Sequence, residues 1–64
     1  MKLYRVYFAD EDGNDIFLCE ICKSYISAEF FVKYAKTDCL NKPILCDDGE
    51  QRIVANALYK EIDE

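Results

Sequence analysis

The chain is 64 residues long and 52% hydrophobic, with five Tyr, four Phe and no His; thirteen acidic against eight basic side chains give a formal net charge of −5. That length holds one domain, residues 1–64, and the apolar content excludes a disordered acidic tail. The negative field repels nucleic-acid phosphates and anionic lipid, and no run nears the roughly 18 apolar residues a membrane span needs.

Residues 2–9 place Tyr4, Val6 and Phe8 on one parity and Leu3, Arg5 and Tyr7 on the other, which predicts a strand. The alternating start, Met1-Lys2-Leu3-Tyr4-Arg5-Val6, reads as strand rather than signal peptide, so a soluble, cytoplasmic protein is expected. Structural disulfides are uncommon in that compartment. Asp10-Glu11-Asp12-Gly13-Asn14-Asp15 follows, and its Asp-Gly pair signals a hairpin. Ile16 to Lys23 is the returning strand, with Phe17, Cys19 and Ile21 expected on one face and Ile16, Leu18 and Cys22 on the other.

Ser24 or Ser27 can cap a helix, predicted over 28–37. There Ala28, Phe31, Val32 and Ala35 recur at helical spacing, while Glu29, Lys33 and Lys36 point outward. Phe30 and Tyr34 widen the apolar stripe beyond what packing on one sheet face requires. Asp38 to Pro43 is a loop, because Asn41-Lys42-Pro43 does not continue a helix.

Ile44-Leu45-Cys46 is a short apolar run ending at Asp47-Asp48-Gly49, and Glu50 to Ile62 fits two readings. As a helix it would be capped by Asp47 and would align Ile53, Val54, Ala57, Leu58 and Ile62. As a strand it would return from an Asp48-Gly49 turn, with Ile53, Ala55, Ala57 and Tyr59 on one face. Asp12-Gly13 and Asp48-Gly49 both follow an apolar run and precede an isoleucine, and this internal echo favours the strand. The expected fold is α+β, an antiparallel sheet with one packed helix in the order β-β-α-β-β. The alternative, with a helical last segment, is β-β-α-β-α.

Cys19 and Cys22 form a C-x-x-C pair, followed by Cys39 and Cys46, and four thiolates can bind zinc and staple so small a chain. Against zinc, the second pair is too widely spaced for a tight knuckle, and in a regular strand residues 19 and 22 face opposite ways. Small buried hydrophobes are the favoured account of these cysteines, with no metal and no cofactor expected. Glu20 between Cys19 and Cys22 disfavours a reactive thiolate. Asp10-x-Asp12-Gly13 fails as a calcium loop, since the sixth position is Asp15 and the twelfth Ile21. Without histidine, a nucleophile elbow or a phosphate-cradling glycine loop, and with no depth for a cleft, no enzyme is expected.

Ten of the thirteen carboxylates lie in three clusters: Asp10, Glu11, Asp12 and Asp15; Asp47, Asp48 and Glu50; and Glu61, Asp63 and Glu64. Turn chemistry and solubility explain such clusters in ordinary proteins. Beside surplus aromatics they also suit a protein-binding surface, in which rings anchor and charge steers towards a basic partner. The order of acidic Asp-Gly hairpin (Asp10 to Gly13), Ser27-capped helix with paired Phe30-Phe31 and further strand resembles the small bacteriophage inhibitors of uracil-DNA glycosylase over about half the chain. The four cysteines and the longer C-terminal segment depart from that family. The resemblance implies only that such an architecture can serve an inhibitor, and it transfers no target or binding residue.

The leading expectation is a small acidic module, of phage or mobile-element type, that inhibits or modulates a basic, nucleic-acid-handling protein as a phosphate mimic. It would bind neither nucleic acid nor membrane directly. Its partner-binding candidates are Asp10, Glu11, Asp12, Asp15, Asp47, Asp48 and Glu50, with Tyr7 and Tyr34 as anchors. The alternatives are a zinc-stabilised adaptor built on Cys19, Cys22, Cys39 and Cys46, and a structural subunit that forms a homodimer.

Overall fold

The computed structural model describes residues 2–63, so Glu64 of the terminal acidic cluster lies outside the described residues. Strand β1 (Lys2–Ala9) is central, with β2 (Asp15–Cys22) and β5 (Asn56–Asp63) antiparallel on its two sides. A separate hairpin pairs β3 (Pro43–Leu45) with β4 (Gln51–Ile53). Helix α1 (Tyr25–Cys39) covers one face of the three-stranded sheet and leans towards β5. The fold is antiparallel α+β with one helix, as the patterning indicates. The last run is extended, and it is divided into β4 and β5 at Val54 and Ala55.

The division has a clear cause. Val54 is 1% exposed and packs with Phe8 and Ala57. Its N–H donates to the Lys42 carbonyl (3.1 Å) and its carbonyl accepts from Asn41 N–H (2.8 Å). The Ala55 N–H then donates to the Ala9 carbonyl (3.0 Å), so a bend ties the small hairpin to the end of β1. Buried backbone groups must be paired, and here the pairing comes from the loop after the helix.

The helix is longer than its periodicity suggests. Ser24 is the cap, its Oγ accepting from Ser27 N–H at 3.2 Å, and the first turn takes in Tyr25, Ile26 and Ser27. The helix continues through Asp38 and Cys39, with Asn41 in a left-handed conformation (φ 64°) just past its end.

Tyr4, Val6 and Phe8 point at the helix, where Val6 packs with Cys22 and Ala28 while Phe8 packs with Val54 and Ala57. The faces of β2 differ from simple alternation. Val6 pairs with Glu20 but Tyr7 pairs with Leu18, so Cys19 is an extra bulged residue. The bulge turns Phe17, Cys19 and Cys22 all towards the helix side and leaves Leu18 and Ile21 about 40% exposed. Ile21 therefore does not share the face of Phe17 and Cys19, and Cys19 and Cys22 do not point apart.

Candidate functional site

Two turns of one chemical design lie at the same end of the molecule. In the first, Gly13 N–H donates to the Asp10 carbonyl at 3.0 Å; in the second, Gly49 N–H donates to the Cys46 carbonyl at 3.0 Å. Both glycines have positive φ, 85° and 83°, which a side chain would strain. An aspartate braces each turn by accepting the N–H two residues on: Asp10 from Asp12 (3.0 Å) and Asp48 from Glu50 (3.1 Å).

The fold brings these turns to the two sides of one open cleft of about 420 Å³, lined by Asp10, Asn14, Asp15, Ile16, Cys46, Asp47, Asp48 and Arg52. Four aspartates and one arginine line it, and although Arg5 and Lys60 offset Asp15 from behind, Asp10 and Asp47 pair with no cation among the described residues, which leaves the rim negative. Periodicity could not reveal this meeting, because it depends on how the Val54 bend attaches the small hairpin.

The acids divide into two groups. Asp10 also accepts Asn14 N–H (2.9 Å) and Asn14 Nδ2–H (3.1 Å), and these bonds hold its carboxyl below the usual range. Asp15 is gripped by Arg5, whose Nε and Nη2 donate at 2.6 and 3.2 Å, with Lys60 Nζ at 3.6 Å; its pKa is lowered, chiefly by Arg5. Arg52 holds Asp48 in a forked pair at 2.8 and 2.7 Å and brings its pKa to about 2. These three acids are committed inside the chain. Among the described residues, the side chains of Glu11, Asp12, Asp47 and Glu50 accept no hydrogen bond and enter no ion pair, and all four are exposed.

The two rings expected as anchors stand elsewhere. Tyr7 lies on the sheet face away from the helix, opposite Leu18 and Leu58, with Lys60 Nζ 5.2 Å from its ring centre. Lys60 thus lies over the Tyr7 ring. Tyr34 is 60% exposed on the outer side of α1, against Phe30 at 5.4 Å between ring centres. Neither ring lines the cleft. The exposed aromatics that the sequence suggests are present, but they form a separate surface.

The cysteines are free and serve packing. Cys22 is buried with Val6 and Ala28, Cys19 and Cys39 lie near Phe8 and Val32, and Cys46 is buried in the small hairpin. Burial, with Cys39 nearby, pushes the Cys19 thiol up to about 11, and burial raises Cys22 as well. No cluster of three or more metal-ligating side chains forms among the described residues.

No protein-family model, no curated protein and no solved structure matches the chain. Among the described residues, no helix is long and apolar enough to cross a membrane.

Proposed function

We propose that this chain is a small acidic protein-binding module whose paired turns dock onto a basic protein of the nucleic-acid-handling kind and inhibit or modulate it. The observation that carries this reading is the convergence of the two acidic turns on one cleft, with unpaired Asp47 in its lining and unpaired Glu11, Asp12 and Glu50 on the turns that border it. Internal bonds hold the turns in shape, so the free carboxylates meet a partner from a rigid frame, which lowers the ordering cost of binding. Exposed carboxylates offer a basic partner the same charge and acceptor oxygens that phosphates do. Their field steers encounter, and the physiological Debye length of about 8 Å makes that steering fall with salt.

The test uses the tagged chain on an extract of its native host, beside a variant carrying Glu11→Gln, Asp12→Asn, Asp47→Asn and Glu50→Gln. The wild type should retain a basic protein that salt elutes. The variant, equally folded by circular dichroism, should lose it and associate at least tenfold more slowly with the purified partner. A partner that binds both chains equally well at all salt concentrations refutes the reading.

A further inference from the structure

The outer side of α1 carries Ile26, Phe30 and Tyr34 at successive four-residue steps, 65%, 63% and 60% exposed, with Phe31 beside them at 43%. Phe30 is a ridge between two hollows of about 360 Å³ each. Ile26, Ser27, Phe30 and Phe31 line one, and Phe30, Lys33, Tyr34 and Thr37 line the other. The second set is spaced i, i+3, i+4, i+7, the four-residue hole into which a side chain of a facing helix inserts when two helices pack. A helix surface that offers both a knob and a matching hole is suited to a copy of itself.

The charges beside the stripe select the direction of packing. In a chain with five more acids than bases, Lys23, Lys33 and Lys36 form no ion pair among the described residues. The nearby acids are Glu29, which accepts from Tyr59 Oη at 3.2 Å, and exposed Asp38. Aligned parallel, two such helices would set Lys33 against Lys33. In an antiparallel pair with its two-fold axis at Phe30, Ile26 of each copy falls opposite Tyr34 of the other and can enter the hole. Glu29 then lies within about 3 Å, along the axis, of the level of Lys33 of the second copy. That contact joins opposite charges, and the two-fold makes it twice. The helix face is thus locally neutral in a molecule that is elsewhere acidic.

We propose that α1 is a homodimer interface, two copies packing antiparallel with Phe30 at the two-fold axis. At roughly 200 Å² per large side chain, the four exposed residues offer on the order of 450 Å² per copy. With the flanking polar residues the total reaches about 1,000 Å², the lower limit for a specific interface and the size of a weak, reversible dimer. The acidic cleft is made of other residues, so the dimer and the basic partner occupy different surfaces.

Sedimentation equilibrium of the full chain, loaded from micromolar to millimolar, tests this. The apparent mass should rise from one chain towards two. Phe30→Asp, on an exposed site that the core does not use, should keep its circular dichroism spectrum and stay at one chain throughout. Glu29→Lys and Lys33→Glu should each weaken self-association at least tenfold, and the double exchange should restore it. The variant with all four free turn acids neutralised should still dimerise, which separates this inference from the docking role of the turns. A wild type that remains a single chain at millimolar concentration overturns the proposal. So does self-association that survives Phe30→Asp, or a double exchange that does not rescue the single ones.

Discussion

Phe8 and Phe30 are the same side chain in opposite circumstances. Phe8 is 7% exposed, stacked on Phe17 with 6.1 Å between ring centres and enclosed by Val54 and Ala57, whereas Phe30 is 63% exposed with a single ring neighbour, Tyr34. The core that Phe8 serves is small, its fully buried members being mostly Val, Ala and Cys. A chain of this length with so many large apolar groups outside its core divides its hydrophobic residues between interior and surface. Position in the strand and helix periods, rather than residue type, decides where each lies.

The sharpest way to break that contrast is truncation. Phe8→Ala should cost about 3–5 kcal/mol, enough to unfold much of a domain this small, while Phe30→Ala should change stability by less than about 0.5 kcal/mol. Urea denaturation of dilute protein measures both. Val54→Ala, which removes two buried methyl groups from the bend joining the hairpins, should cost about 2 kcal/mol. If Val54→Ala proves harmless, the bend is not what fixes the two turns together.

The acids show the same division on a smaller scale, and pH reads it. Asp10, Asp15 and Asp48 have folded pKa values depressed below their unfolded values, so their contribution is present above about pH 4. It disappears as pH falls through the folded values, for Asp48 down to about 2. Stability should therefore hold from neutrality to about pH 4 and then decline, and Asp15→Asn should flatten the decline while removing at most about 1 kcal/mol at neutral pH. The Cys19 thiol shows the opposite sign. With its folded pKa raised to about 11, its contribution is intact below the ordinary thiol value of about 8.5 and is lost as pH climbs towards 11. Thiol-blocking reagents at neutral pH should react with Cys19 and Cys22 more slowly than with the unfolded chain, and a rate equal to the unfolded one would contradict their burial.

Much of this architecture was legible in the residues. Alternation marked β1, the two Asp-Gly pairs marked both hairpins, and Ala28, Val32 and Ala35 marked the inner face of the helix. What failed to show has physical reasons. The bulge at Cys19 leaves no mark in a pattern read at strict period two, so strict alternation puts Ile21 and Cys22 on the wrong faces. Tyr25 and Ile26 lie outside the inner stripe of Ala28, Val32 and Ala35 and enter α1 because Ser24 caps it. The candidate site was legible as a set of acids but not as a place. Nothing local says that Asp10 and Asp48 are spent on their own turns, that Lys60 covers Tyr7, or that both turns border one cleft.

In the proposed function, the unpaired carboxylates of the two turns, and not the braced ones, carry recognition of a basic partner. The most direct measurement is the association rate of that partner, retrieved by the tagged chain, against ionic strength for the wild type and for the variant with Glu11, Asp12, Asp47 and Glu50 neutralised. The rate should fall steeply with salt for the wild type and be lower and nearly flat for the variant, the two lines meeting at high salt. Parallel lines of equal height would contradict it.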